Sequence, residues 1–167
     1  ARFQLVAAMN PCPCGYKGHP TKPCTDTPTQ VQKYQARLSG PLLDRFDLFV
    51  DVQAIPVSDL SAAPQGDDTA TMAARVAQAH TRQKDRFLGE NDVICNGQME
   101  GGLLEKHAQP AQDGKTLLDK AAEKYSFSAR SYHRVLKVAR TIADLEGADT
   151  VNRKHVAEAL SFRQIPV

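Results

Sequence analysis

The sequence lacks long apolar segments and has no strong excess of charge of either sign. It contains no run of about eighteen apolar residues and no basic-then-apolar leader, so it predicts neither a membrane span nor a signal peptide. The formal net charge is +2 and 24% of the residues are charged, so the composition dictates no strongly acidic or basic partner. These absences favour a cytoplasmic protein.

The 167 residues are enough to bury a core, and they fit one domain or two small ones. The first residue is alanine and an apolar run follows almost at once, so we expect a section of a larger protein. No Gly-x-x-x-x-Gly-Lys-[Ser/Thr] loop is present to cradle phosphates, and no apolar strand ends in paired acids that would hold magnesium. We therefore expect this chain alone neither to hydrolyse ATP nor to bind it tightly.

Cysteine is scarce, but three of the four cysteines fall in one loop that also contains a histidine and an aspartate. All five side chains are accepted zinc ligands. Prolines and glycines stiffen the loop, which lowers the entropy lost when the ligands gather. A Cys-x-Cys spacing is less typical of zinc than Cys-x-x-Cys, so a reduced, solvent-facing loop whose thiols oxidise in air is the alternative. The candidate ligands are Cys12, Cys14, His19, Cys24 and Asp26.

Two short segments of the first third have the patterns of strands. Phe3–Met9 is nearly all apolar, which predicts a buried strand of a parallel sheet. Asn10 would then lie just past the end of that strand, where open α/β sheets place ligands, although a turn-forming asparagine before proline is the alternative. Asp47–Val52 alternates apolar and acidic residues and predicts a second strand. Arg45 would lie where a short helical turn meets this strand; a solvated surface arginine is the alternative.

Periodicity and caps predict helices for most of the remaining chain. The segment Val52–Asp68 is rich in proline and small residues and predicts a linker at a domain boundary, whereas Glu90–Gly102 shows no clear period. Arg75, Arg82, Lys84 and Arg86 are interpreted as the solvated face of the second helix. The helices are expected from Thr27 to Gly40, from Asp67 or Asp68 through Phe87, from Lys115 to Tyr125, from Ser128 to Glu146, and onward from Asn152.

Three basic residues share one face of the long helix that Ser128 is expected to cap. Arg130 lies in its first turn, where the helix dipole disfavours a cation by about 0.3–1 kcal/mol, which favours a role in binding an anion. A solvated basic face is the alternative. Arg134 and Lys137 are candidates for contacting nucleic acid, although no aromatic stacking platform accompanies them.

Three motifs together resemble the second half of an AAA+ ATPase module, in the magnesium chelatase-like family that includes ComM (also called YifB). The motifs are Phe3-Gln-Leu-Val-Ala-Ala-Met-Asn10 with Pro-Cys-Pro-Cys-Gly15, Leu38-Ser-Gly-Pro-Leu-Leu-Asp-Arg-Phe-Asp-Leu48, and Phe127-Ser-Ala-Arg-Ser-Tyr-His-Arg134 with the residues that follow it. The resemblance covers nearly the whole chain and is weak only between about Gln65 and Lys115.

The resemblance implies a role for each of three polar residues. Asn10 matches sensor 1, Arg45 the arginine finger that reaches the nucleotide of the next subunit, and Arg130 sensor 2. The family carries a fourth cysteine where this sequence has Asp26, so the ligand set of the cysteine loop departs from the family pattern here.

The expected fold is predominantly α: a C-terminal AAA+ helical lid bundle at 67–167, preceded by an incomplete α/β remnant of the ATPase core at 1–66. The resemblance implies an ATP- and Mg²⁺-dependent hexameric ring that acts on DNA, as a branch-migration helicase in natural transformation. A non-catalytic module, with a zinc loop and a helical bundle that binds DNA or a protein, is the alternative.

Overall fold

The computed structural model describes residues 3–55, 66–90 and 92–163. It is mostly helical, as expected from the sequence. Within these residues the only β-type pairing is an isolated parallel bridge between Pro110 and Val151. The chain divides into two compact units. The N-terminal unit comprises Ala1–Arg45 and Asp51–Ala63, and the helical unit comprises Phe46–Val50 and Pro64–Val167.

The described part of the N-terminal unit contains two short helices, α1 (Pro28–Gln35) and α2 (Gly40–Leu43). Thr27 caps α1 as expected: its Oγ1 accepts from the Gln30 amide at 3.3 Å, and Gln30 Oε1 accepts from the Thr27 amide at 2.7 Å. The predicted extent to Gly40 is wrong, because α1 ends at Gln35 and Ser39 then caps α2.

The two predicted strands are also wrong, since neither Phe3–Met9 nor Asp47–Val52 is a strand in the structure. A single segment cannot satisfy its backbone N–H and C=O groups without a neighbouring strand, and an apolar pattern supplies no neighbour. Their side chains are correspondingly exposed: Phe3 by 79%, Val6 by 84% and Val52 by 88%.

The helical unit is built around one amphipathic helix of 18 residues. This helix, α6 (Ala129–Glu146), packs against α3 (Thr69–Arg86), a 3₁₀ turn (Asn96–Gln98), α4 (Gly102–His107) and α7 (Arg153–Ser161). The remaining helix, α5 (Gln112–Lys124), packs against α7. Both the 3₁₀ turn and α4 were missed by the sequence analysis, because neither is long enough to show a period.

Both predicted ends of α6 and the predicted start of α7 are confirmed. Ser128 Oγ accepts from the Ser131 amide at 3.1 Å, and Gly147 closes α6 with φ +81°, a conformation that glycine adopts at little cost. Asn152 caps α7 in a reciprocal arrangement with His155. The buried apolar residues of α6 lie in a single core with those of its neighbours, among them Phe87, Met99, Leu118, Leu136, Val151 and Val156.

One glycine sets the spacing between α5 and the start of α7. A Cβ added at Gly114 would lie 3.0 Å from Pro110 Cβ and 3.2 Å from both the Asn152 carbonyl carbon and the Arg153 amide nitrogen. The first turn of α5 therefore approaches the backbone before α7 more closely than another residue permits.

A buried ionic network joins α3 and the 3₁₀ turn to α6. Asp144 is buried and accepts two hydrogen bonds from Arg86, at 2.5 and 2.7 Å, and one from Asn96 at 2.7 Å, while Arg140 approaches it at 3.0 Å. The backbone amide of Asn96 also donates to Oε1 of buried Gln83 at 2.8 Å. The interpretation of Arg86 as part of a solvated face was therefore wrong.

Among the helices described, none is long and apolar enough to span a bilayer.

Candidate functional site

Asn10 lies on the surface of the N-terminal unit, at the entrance to the cysteine loop. It borders a shallow concavity of about 410 Å³ with Ala8, Met9 and Tyr34. Its amide lies beside Gly15, where an added Cβ would be 3.6 Å from Asn10 Nδ2. Gln35 of α1 donates from Nε2 to the Pro11 carbonyl at 3.0 Å and ties down the backbone that follows. The Asn10 side chain thus faces solvent from a locally braced turn.

Arg45 follows α2 and is exposed. Its Nη1 donates to the Pro41 carbonyl at 2.5 Å, so the guanidinium folds back over its own helical turn. An exposed guanidinium held by one backbone carbonyl retains its other donors for a further ligand. Such a group is suited to a phosphate, which accepts several N–H donors at once.

Arg130 lies in the first turn of α6 and faces an open cavity of about 490 Å³ within the helical unit. The cavity concentrates basic side chains, because His133, Arg134 and Lys137 also line it. Asp47 and Glu100 are its acidic lining residues. The lining therefore carries three cationic side chains against two carboxylates, and this excess of one positive charge favours an anion.

Two of these basic residues already have protein partners. Arg134 forms an ion pair with Asp47, and Lys137 Nζ donates to the Gly97 carbonyl at 3.0 Å. Partial burial lowers the pKa of Lys137 from its ordinary value. Arg134 and Lys137 therefore share the cavity of Arg130 instead of forming a separate exposed stripe.

The cysteine loop gathers three free thiols and a carboxylate. The Sγ atoms of Cys12, Cys14 and Cys24 lie 3.4, 3.5 and 3.6 Å apart, and Asp26 Oδ2 is 3.8 Å from Cys24 Sγ. The four ligand atoms all lie within 4.8 Å of one another, so this cluster could hold a metal ion. His19 is not in the cluster: its Nδ1 accepts from the backbone amides of Thr21 and Lys22, at 3.2 and 3.0 Å.

Backbone donors support the thiol cluster. The Lys17 amide donates to Cys12 Sγ at 3.4 Å, and the Cys14 amide donates to Asp26 Oδ2 at 2.8 Å. The Asp26 carboxylate raises the pKa of Cys14, but the backbone amide of Tyr16 and other donors outweigh it and bring that pKa to about 7. The backbone at Asp26 lowers the pKa of Cys24, whereas lost hydration and the neighbouring thiols raise it, to about 11 overall.

The structure therefore groups the predicted residues into three places. Asn10 lies beside the thiol cluster and Arg45 at the end of α2, both in the N-terminal unit, while Arg130, Arg134 and Lys137 share a cavity of the helical unit. His133 and Glu100 also line that cavity, and the sequence analysis missed both. The i, i+3 spacing of His133 from Arg130 was the available signal for the histidine.

Comparison with known proteins gives consistent matches along the chain. Residues 66–163 match the family model described as magnesium chelatase, subunit ChlI C-terminal, and residues 1–60 match the model described as magnesium chelatase, subunit ChlI. Over 99% of its length the chain is 43% identical to the uncharacterized protein YifB of Salmonella typhimurium. It is 40% identical to YifB of Escherichia coli over 99%, and 39% identical to the competence protein ComM of Haemophilus influenzae over 98%.

In each of these three relatives the matched region is only 31% of the relative's length. The sequence similarity nevertheless spans both units, and the C-terminal match alone covers more than half of the chain. The chain therefore belongs to the magnesium chelatase ChlI-like family, as a region related to part of the competence protein ComM.

Proposed function

We propose that this chain is the C-terminal part of a ComM-like AAA+ ATPase. It would supply polar side chains to an ATP-binding site whose phosphate-binding loop lies upstream of this chain. The observation that carries this proposal is the basic cavity at the start of α6, within the matched ChlI C-terminal region. Arg130 would contact the γ-phosphate as sensor 2. Residues 67–167 would form the lid and residues 1–66 the end of the ATPase core.

Arg45 and Asn10 would serve the same nucleotide chemistry. In phosphoryl transfer, negative charge spreads over the oxygens of the transferred group, and a planar guanidinium with several donors neutralises it. The exposed Arg45 guanidinium has this capacity, and it would act on the nucleotide of the neighbouring subunit. The Asn10 amide would orient the γ-phosphate or the attacking water, and Mg²⁺ would bind with ATP in the complete site.

The assembled protein would be a hexameric ring in the cytoplasm that moves DNA by branch migration. The name of the Haemophilus relative, competence protein ComM, supports a role in natural transformation. Arg134 and Lys137 would contribute to DNA binding, with the Asp47 ion pair exchanged for a backbone phosphate. Loss of either positive charge should then weaken DNA binding and reduce its salt dependence.

The decisive experiment is an ATPase assay on the full-length protein that contains this chain. Arg45→Ala is expected to reduce kcat by about 10³-fold or more, and Arg45→Lys should restore little of it, because arginine fingers contribute about 10³–10⁵. Arg130→Ala should lower kcat/KM. Arg153→Ala is the matched control. Arg153 is exposed and lies in the first turn of α7, and Arg130 has the equivalent position in α6. Equal activities for all variants would refute the assignment.

The isolated chain provides a second test. Without a phosphate loop in its sequence, it should show no ATPase activity and only weak affinity for ATP. Micromolar affinity in a calorimetric titration of the isolated chain would contradict the proposal.

The thiol cluster favours a second candidate function, a non-catalytic module in which a zinc loop and a helical bundle bind DNA or a protein. Metal removal discriminates between the two functions. Unfolding of the whole chain on chelation would favour the module, whereas a helical unit that stays folded without metal would favour the lid of an ATPase.

A further inference from the structure

The spacing of the three thiols in the cysteine loop is close to that of zinc ligands. Zn–S bonds of about 2.3 Å in a tetrahedron place neighbouring sulfurs about 3.8 Å apart. The three Sγ atoms lie 3.4–3.6 Å apart, so small adjustments would admit an ion between them. Asp26 stands next to them as the fourth donor, with one oxygen already oriented by the Cys14 amide. The loop therefore presents a nearly formed tetrahedral set.

The same loop carries the asparagine of the proposed nucleotide site. Asn10 is two residues before Cys12, and a Cβ added at Gly15, one residue after Cys14, would lie 3.6 Å from Asn10 Nδ2. The Gly15 amide donates to the Cys12 carbonyl at 3.0 Å, and Gly15 has φ +82°. The turn from Cys12 to Gly15 therefore passes beside the Asn10 side chain, and it contributes two of the three thiols of the cluster.

We infer that Cys12, Cys14, Cys24 and Asp26 bind one zinc ion, and that this ion holds the turn that positions the Asn10 amide. The ion cross-links both ends of the loop, which limits the arrangements of the intervening residues. His19 takes no part in binding. The inference of a metal site is independent of the proposed function, and only its effect on ATP turnover rests on that function.

Metal content of the purified chain tests the ligand set. After reconstitution with zinc under reducing conditions, we expect one tightly bound ion per chain, and cobalt(II) should give the strong visible absorption of a tetrahedral thiolate site. Cys24→Ser should weaken binding by at least about 10–100-fold, and Asp26→Asn should alter the cobalt spectrum. Cys95→Ser is the matched control because Cys95 lies outside the cluster, and it should bind normally, as should His19→Ala. Normal binding by Cys24→Ser, or lost binding by His19→Ala, would overturn the assignment.

A nuclear magnetic resonance measurement tests the effect on Asn10 without any activity assay. Removal of zinc should shift the side-chain amide signals of Asn10, whereas those of Asn96, which is buried against Asp144 in the helical unit, should stay in place. Cys24→Ser should reproduce the shift in the presence of zinc. Unchanged Asn10 signals in a chain that binds and releases zinc would refute the positioning role.

ATP turnover by the full-length protein completes the test. Zinc removal should lower kcat in the wild type and should have no further effect in Asn10→Ala, because both changes remove the same positioned amide. If Asn10→Ala is fully active, the sensor assignment fails while the metal site stands. If zinc is not bound at all, the metal inference fails while the sensor assignment stands.

Discussion

The two units of this chain each carry proposed functional residues, but they bury very different amounts of apolar surface. Among the residues described, the buried apolar side chains of the N-terminal unit are Cys12 and Val31, while the helical unit contains a continuous core around α6. The N-terminal unit instead exposes Phe3, Val6 and Val52. Arg130 therefore lies in the unit that has the continuous core, whereas Asn10 lies in the unit whose apolar side chains are largely exposed.

The difference shows that a site can be recognisable where its support is weak. In the N-terminal unit the polar residues of the cysteine loop lie close together in the sequence, so their chemistry could be predicted from it. The partners of the unit's apolar side chains, however, do not lie in the described part of the unit. We expect these residues to exchange their amide hydrogens faster than those of α6.

The largest effect is expected from Asp144→Ala, which leaves Arg86 and Arg140 without their buried carboxylate. Removing one member of a buried ionic network destabilises by about 3–5 kcal/mol. Urea unfolding followed by circular dichroism measures the change. Asp149→Ala is the control, since that side chain is 98% exposed and pairs with Arg82 at the surface, and it should change the stability by less than about 0.5 kcal/mol. Equal losses of stability in Asp144→Ala and Asp149→Ala would contradict the expected difference between the buried and the exposed ion pair.

The ionisation of Asp144 should also make the stability of the helical unit depend on pH. Burial raises the pKa of Asp144, but hydrogen bonds from Arg86 and Asn96 and the charge of Arg140 outweigh it and hold the pKa below its ordinary value of 3.8. Its contribution to stability is therefore complete above about pH 4 and is lost as the pH falls through the lowered pKa. The pH dependence of urea midpoints should show this loss in the wild type and much less of it in Asp144→Asn.

A leucine truncation compares the interiors of the two units directly. Leu118→Ala removes a fully buried side chain and should destabilise the helical unit by about 2–5 kcal/mol. Leu5→Ala removes an exposed side chain of the N-terminal unit and should change the unfolding free energy by less than about 0.5 kcal/mol. A large loss of stability for Leu5→Ala in the isolated chain would show that the N-terminal unit has a core of its own.

Helix caps give the smallest and sharpest comparison. Ser128→Ala removes the side-chain acceptor of the Ser131 amide and should cost about 1 kcal/mol of global stability. Thr27→Ala makes the equivalent change at α1 and should speed hydrogen exchange locally, without a comparable shift of the main unfolding transition. Equal shifts for the two variants would mean that the units unfold together.

Features encoded within a few neighbouring residues could be predicted from the sequence. The Ser128 and Asn152 caps, the Gly147 terminus and the clustering of Cys12, Cys14 and Cys24 all depend on local spacing, and the structure agrees with them. The fold class was also predictable, because α6 has a strong helical period.

Features that depend on distant partners could not be predicted. Arg86 and Asp144 are 58 positions apart in the sequence, and the residues next to them give no indication that they form a pair. The strands at Phe3–Met9 and Asp47–Val52 failed for the same reason, since a strand exists only with a neighbour that hydrogen-bonds to it. His19 has an accepted ligand chemistry, but its short-range hydrogen bonds to Thr21 and Lys22 decided its position.

Gly114 limits which residues this position of the chain can accept. Alanine would favour the helix by about 1 kcal/mol through its intrinsic propensity. Its methyl group, however, would meet main-chain atoms of Asn152 and Arg153, which cannot rotate away as a flexible side chain would. Relatives that carry a larger residue here should therefore show a displaced α7 entry, so this one position records whether a divergent homologue keeps the same helix spacing.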